Sequence, residues 1–224
     1  MLFLLYINDL PDFTHLTPFL FADDTTLLNA DENLEELFTR TNSEFNIITS
    51  YFRLIKLALH PAKTKVVVFS TNNNTYNRAN NHQILINDNN LNEQPKNELM
   101  HHVSRVTGNL DDPAVKFLGL YIDPKFNLKY HVTTIAKKIS TSLYFTRTAK
   151  KILNAKALTS LYYSLIHSHL IYAIHVWSIC SQSSITKLFK LQKKAIRIIH
   201  DLLYNGHTES YFIFKKVISF LYLI

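Results

Sequence analysis

The most regular pattern along the chain is a run in which Leu34, Leu37, Phe38, Thr41, Phe45, Ile48, Phe52 and Ile55 recur at steps of three and four. That spacing lays one apolar stripe along a long amphipathic helix. Asp31-Glu32-Asn33 stands just before it, which puts negative charge at the first turn, where the helix dipole favours it. Ahead of the helix the period changes. Phe19-Leu20-Phe21-Ala22-Asp23-Asp24-Thr25-Thr26-Leu27-Leu28 sets two acids between two apolar runs. It reads as strand, tight acidic turn, strand. Residues 2–10 form a short apolar segment closed by Asp9-Leu10-Pro11.

Past the helix, His60-Pro61-Ala62-Lys63-Thr64-Lys65 is a break, and Val66-Val67-Val68-Phe69-Ser70 has strand composition. Residues 71–83 are rich in Asn and read as a loop. Ile84-Leu85-Ile86, with the residues after Asn87-Asp88-Asn89-Asn90, suggests a weak hairpin, and 92–114 reads as irregular. Lys116-Phe117-Leu118-Gly119-Leu120-Tyr121-Ile122-Asp123 reads as one more strand. Its interior Gly119 predicts a bulge or the close approach of another backbone.

From Lys129 onward the period is helical. Val132, Ile135, Ala136, Ile139 and Leu143 share one face. Asn154 is placed to cap a second helix, in which Leu158, Leu161, Tyr162, Leu165 and Ile166 recur. A third runs from about Ser184 with Ile185, Leu188, Ala195, Ile199 and Leu202 inward. The expected fold is therefore α+β, with a sheet-and-helix part over 1–128 and an all-helical part over 129–224.

Composition changes this picture in two ways. At 224 residues, 47% hydrophobic and 18% charged, the chain is globular, with one cysteine, Cys180, and so no internal disulfide or multi-cysteine zinc site. The net charge of +7 is also unevenly spread: residues 1–114 carry 8 Lys and Arg against 14 Asp and Glu, and residues 115–224 carry 16 against 3. An acidic part followed by a strongly basic one suggests a metal or turn region joined to a polyanion-binding region, a basic surface kept for solubility being the alternative. The apolar opening Met1–Ile7 has no basic start and is interrupted by Asn8-Asp9, and Val217–Ile224 is too short to span a bilayer. No membrane segment is expected, and an intracellular place, nuclear or cytoplasmic, fits.

Three sets of residues carry candidate chemistry. Asp23 and Asp24 approach one site only if a turn joins the strands, and paired acids there suit an oxygen-preferring cation such as Mg²⁺ or form a solvated turn. Lys187, Lys190, Lys194 and Arg197, with Lys193 beside them, form a basic stripe that tracks phosphates or faces water. The histidines are read as bland: His101 and His102 have no third ligand at a helpful spacing, and His167, His169 and His175 are packing or rim residues.

Taken in order, these segments resemble the reverse transcriptase of non-LTR (LINE-type) retrotransposons. Leu2–Pro11 followed by Phe21-Ala22-Asp23-Asp24 is similar to that family's acidic motif, Leu57–Lys65 with Phe69-Ser70 to the next, and Lys116–Gly119 through Ile122-Asp123 to the one after. Leu191-Gln192-Lys193-Lys194-Ala195-Ile196-Arg197 is similar to its thumb. The resemblance implies part of a right-hand polymerase: a palm of antiparallel sheet plus helix, then a helical thumb. It implies Mg²⁺, with Mn²⁺ as a substitute, at Asp23 and Asp24; a proton donor or phosphate contact at Lys63; a primer grip at Phe117-Leu118-Gly119; and an RNA template with a DNA primer as partners. Two departures stand out, His60 where the family often has Asn and Lys56 where it often has Gly. The family's first palm strand, with another catalytic aspartate, and its fingers lie upstream of these motifs. The expectation is therefore a chain that holds metal weakly and is inactive by itself, the alternative being a non-catalytic nucleic-acid-binding remnant.

Overall fold

Residues 2–87, 100–108, 113–203 and 206–214 are described by the computed structural model. The chain is α+β and separates into Met1–Thr107 and Gly108–Ile224. The expected boundary lay near 128; the observed one puts the strands around Gly119 with the helices that follow.

The first unit opens with α1 (Leu2–Ile7), a 3-10 turn (Leu10–Phe13) and the hairpin of β1 (Thr17–Phe21) and β2 (Asp24–Leu28), in which Phe21 faces Asp24. Pleating sends Leu20 and Leu27 onto Ile7, Leu10, Leu16, Ile48, Tyr51 and Phe52. Phe19, Phe21 and Leu28 are left in solvent on the other face.

The long helix forms as α2 (Leu34–Leu54), one turn-end short of Ile55. Asn33 caps it, its side-chain oxygen accepting the Glu35 N–H at 3.0 Å. Phe38, Phe45, Ile48 and Phe52 point inward as the spacing predicts, and each such side chain contributes about 1.5–3 kcal/mol by leaving water. Glu44 is also buried, which the apolar pattern does not announce. It accepts the Thr14 hydroxyl at 2.8 Å and the His15 N–H at 2.9 Å. Burial pushes its carboxyl up, but these two donors, helped by the charge of His15 and Arg40, hold it below the usual range. The Tyr51 hydroxyl donates to the Tyr6 carbonyl at 3.0 Å and ties α2 to α1.

Where α2 ends, Lys56 N–H donates to the Arg53 carbonyl at 3.0 Å and Leu57 N–H to the Phe52 carbonyl at 2.8 Å. This pair is the Schellman ending, which places its C′ residue in the left-handed region. Lys56 occupies it, at φ 58°. The geometry at this position is thus the one glycine favours.

The rest of the unit departs from the sequence reading at three places. The strand expected over 66–70 is laddered only at β3 (Lys65–Val66), because its parallel partner is as short; Val68 is already buried in the core. The Asn-rich stretch read as a loop holds α3 (Asn73–Arg78) and a 3-10 turn (Ala79–Asn81), started by the Asn72 side chain accepting the Asn74 N–H at 2.9 Å. The hairpin after Ile86 exists as β4 (Leu85–Asn87), but its antiparallel partner is β5 (Met100–His102), so His101 and His102 lie on a strand within a region read as irregular. The place expected for the second strand, just after Asn90, lies outside the described residues. Next, β6 (Ser104–Arg105) pairs parallel with β3. Phe38, Phe45, Val68, Ala79, Ile84, Ile86 and Val103 close a second core.

The second unit opens with β7 (Val115–Phe117) and β8 (Leu120–Ile122), an antiparallel hairpin with Phe117 opposite Leu120. The single strand expected over Lys116–Asp123 is therefore two strands. Gly119 is a turn residue and not a bulge: Leu118 at φ 43° and Gly119 at φ 85° both lie in the left-handed region, the pattern of a tight two-residue connection. The buried Asp123 carboxylate accepts the Leu128 N–H at 2.9 Å and organises the turn into α4 (Lys129–Ala149).

As predicted, the Asn154 side chain caps α5 (Ala155–Tyr162), accepting the Ala157 N–H at 2.9 Å. The regular α-helix ends at Tyr162, before Leu165 and Ile166. A π turn (Tyr163–His167) leads into α6 (Ser168–Ile171), Ala173 at φ 49° breaks the path, and α7 (Ile174–Trp177) follows. α8 (Gln182–His200) and α9 (Glu209–Phe214) complete the unit. Val132, Ile135, Ala136 and Ile139 of α4 meet Leu158, Tyr162, Ile166, Leu170 and Trp177, and Ile185, Leu188, Ala195, Ile196 and Ile199 of α8, in one core. Among the described residues no helix is long and apolar enough to cross a membrane.

Replacing Lys56 by Gly should stabilise the chain by about 1 kcal/mol, since a non-glycine residue in the left-handed region costs roughly 1–2 kcal/mol. The check is the chemical-denaturation midpoint at unchanged m-value. A lower midpoint for Lys56→Gly would mean that the lysine side chain offsets the strain through contacts of its own.

Candidate nucleic-acid interface

The rotation of α8 is fixed by what it buries. With Ile185, Leu188, Gln192, Ala195, Ile196 and Ile199 turned into the core, Lys187, Lys190 and Lys194 are left on the opposite side in solvent. They face a groove of about 950 Å³ whose other wall is α4. That wall supplies Lys137 and the hydroxyls of Thr133, Ser140 and Thr141, and α8 adds those of Ser183 and Thr186. No carboxylate lines it. Ser140 donates to the Ala136 carbonyl at 2.8 Å and Thr141 to the Lys137 carbonyl at 3.2 Å, whereas the Thr133 and Thr186 hydroxyls have no partner among the described residues. Ammonium groups and hydroxyls together, without acids, form a set of donors of the kind that phosphate oxygens can accept from.

The five basic residues singled out in the sequence do not all belong here. Lys193 turns aside, its Nζ 4.4 Å from the centre of the Phe189 ring. Arg197 donates through Nε to the Gly206 carbonyl at 3.2 Å and holds the chain that leaves α8. In exchange the groove gains Lys137, which the sequence reading missed. The available signal was the row Thr133, Lys137, Ser140 and Thr141, polar at steps of four, three and one beside the apolar stripe of α4.

The acidic turn forms as expected. Ala22 and Asp23 make the two-residue connection, and Asp24 begins β2. Both carboxylates are exposed, and neither has a hydrogen-bond or ion-pair partner among the described residues. Ala22 stands at φ 53°, in the left-handed region. Lys63 is exposed in a turn closed by its own N–H and that of Thr64 on the His60 carbonyl, at 3.0 and 3.1 Å. No hydrogen bond or ion pair joins it to either aspartate. Among the described residues no three His, Cys, Asp or Glu side chains gather as a metal group.

Phe117, Leu118 and Gly119 form the tip of the β7–β8 hairpin, and the sequence reading missed what holds it. The Tyr172 hydroxyl donates to the Leu118 carbonyl, and the Tyr172 ring lies where a Cβ on Gly119 would be, 3.0 Å from that point. Trp177, fully buried, in turn donates through Nε1 to the Tyr172 carbonyl at 2.9 Å. The tip is thus pinned to the helical core through one aromatic side chain. Its close neighbour is a ring and not the backbone that Gly119 led one to expect.

The histidines read as packing or rim residues divide between the two. His167 is buried against the rings of Tyr162 and Tyr163, His169 is half-buried with its ring pushed down by burial and then by Lys138, and His175 is exposed. His131, not singled out before, accepts the Tyr121 N–H through Nδ1 at 3.3 Å, and burial lowers its pKa. Compared with protein-family models, with curated proteins and with solved structures, the chain matches none.

Gly119→Ala should cost about 2 kcal/mol, from the left-handed backbone and the ring it would strike. Tyr172→Phe keeps the ring, removes one hydrogen bond and should cost only about 1 kcal/mol. Denaturation midpoints give the two values, and amide exchange over 115–122 reports the tip. If exchange at the tip stays slow in both variants, the tyrosine is not what pins it.

Proposed function

We propose that the chain is the palm-and-thumb portion of a non-LTR-type reverse transcriptase and that the α4–α8 groove carries the sugar–phosphate backbone of an RNA template–DNA primer duplex. The observation that bears most weight is the acid-free groove: Lys137, Lys187, Lys190 and Lys194 converge with unpartnered hydroxyls on a concave surface. The ordered motifs of the sequence favour the same reading. So does Lys56, whose left-handed backbone is the one that the family's frequent glycine at this position would adopt freely.

In this reading the 1–107 unit is palm and the helices after the β7–β8 hairpin are thumb. The Leu118-Gly119 tip, stiffened by Tyr172, would rest against the primer end, and Lys63 would contact phosphate or move a proton. Asp23 and Asp24 suit Mg²⁺ or Mn²⁺ by donor type, two exposed carboxylate groups without an internal cation. Bound there, the ion would supply Lewis-acid stabilisation of phosphoryl oxygens. A second reading, nucleic-acid binding without chemistry, is favoured by one observation: only these two carboxylates meet at the turn among the described residues.

Affinity for an RNA–DNA duplex should fall steeply with salt, by about 0.9 in log K per decade for each phosphate neutralised on the B-DNA scale. Lys190→Ala and Lys194→Ala should each flatten that slope by about one. An unchanged slope in both would mean that this face is merely solvated.

The metal is tested separately from the groove. Mn²⁺ should broaden the NMR signals of residues 21–25 at millimolar concentration, and Asp23→Asn should abolish the effect. Broadening that survives Asp23→Asn would move the ion elsewhere and leave the binding-only reading.

A further inference from the structure

We propose that the outer face of the C-terminal half of α4 is a stacking platform for unpaired bases, so that the groove continues into a site for the single-stranded arm beside a duplex. This rests on the reading of the groove as a backbone site.

The observation is a pair of exposed aromatic side chains beside two small inward hydroxyl residues. In this half of α4 the buried positions are Ser142 and Thr146, whose hydroxyls turn back onto the Lys138 and Ser142 carbonyls at 3.1 and 2.8 Å. Tyr144 and Phe145 instead face water, 69% and 56% exposed. Leu143 and Ala149 of the same half reach the core partly buried, whereas the two aromatic rings stay outside it. Their ring centres lie 6.0 Å apart at 65°, which lets one ring take a base face while the other meets its edge.

Their position points to the ligand. Tyr144 and Phe145 stand three and four residues after Thr141, a wall residue of the groove, and so share its side of the helix. Arg147 and Lys151 flank them, exposed and with no carboxylate partner among the described residues. Asp201, which reaches the end of this helix, is occupied by Lys150. Aromatic faces beside cations, continuous with a lysine groove, are the elements of sequence-tolerant single-strand binding. A second copy of the chain would bring the same Arg147 and Lys151 against this face and be repelled. A flat membrane surface would leave the concave groove unused.

The test uses the full chain and three fluorescent probes at one salt concentration, read by anisotropy: a blunt RNA–DNA duplex, the same duplex with a single-stranded extension, and the single strand alone. The extension should tighten binding by roughly 5- to 100-fold, the worth of one stacked base. Tyr144→Leu and Phe145→Leu keep apolar bulk and helix propensity but remove the π face; they should lose most of that gain and leave the blunt duplex and its salt slope unchanged. Lys190→Ala should do the reverse.

An extension that adds nothing, or a gain that both leucine variants retain, overturns the platform and leaves the groove reading standing. Single-strand binding that depends on Tyr144 and Phe145, with no binding of the blunt duplex, supports the platform and sinks the groove reading. Binding of phosphatidylserine vesicles that survives both substitutions, without any gain from the extension, overturns the platform in favour of a membrane surface. Self-association that the leucine variants abolish, again without that gain, overturns it in favour of a second copy.

Discussion

In the helical unit α5 packs on α8, and there the Gln192 amide donates to the Tyr162 hydroxyl at 2.7 Å with both side chains fully buried. An apolar seam alone tolerates sliding, because several registers bury similar area. A buried polar pair does not: a slip by one turn would strand an amide and a hydroxyl, at about 1–3 kcal/mol for each unmet group. The pair therefore fixes how α8 is turned, and with it which lysines reach the groove. Neither partner changes charge near neutral pH. Burial pushes the Tyr162 hydroxyl up to about 12, and Gln192 does not titrate, so this register is insensitive to pH over the physiological range.

What could be read in advance was whatever depends on local period. The stripes of α2, α4 and α8, the cap at Asn154 and the acidic hairpin all follow from spacing and short-range chemistry. What could not be read depends on partners distant in sequence. The strand at Lys65–Val66 is limited by Ser104–Arg105, nearly forty residues on. The tip at Leu118-Gly119 lacks the Asn-Gly or Asp-Gly signal of a tight connection and is held by Tyr172. The basic stripe shows the same division. Periodicity placed Lys187, Lys190 and Lys194 outward, but only the packing of α4 brings Lys137 opposite them, and only the contacts of Phe189 and Gly206 take Lys193 and Arg197 away.

Buried polar groups escape a hydrophobic-pattern reading for a related reason: their position is set by a partner and not by polarity. Glu44 is inward because Thr14 and His15 meet it, and Asp123 because the Leu128 N–H does. Arg105 is the costly case. Its guanidinium nitrogens are buried with no hydrogen-bond partner among the described residues, and the Tyr76 ring lies 5.3 Å away. Burial lowers its pKa, and desolvating such a donor set opposes the stability of this corner of the first unit.

Against that background the acidic turn is unusual for its idleness within the fold. Asp31 accepts the Asn33 N–H and pairs with Arg40, Glu36 meets Asn33, and Glu44 ties α2 to the start of β1. Asp23 and Asp24 do none of this, although they sit at the apex of a hairpin whose inner face is part of the core. The turn that presents them holds Ala22 in the left-handed region, at a cost of about 1–2 kcal/mol that a glycine would avoid. No hydrogen bond or ion pair of either carboxylate among the described residues offsets that cost. Under the proposed reading, the partner that would make use of this exposed pair is a cation.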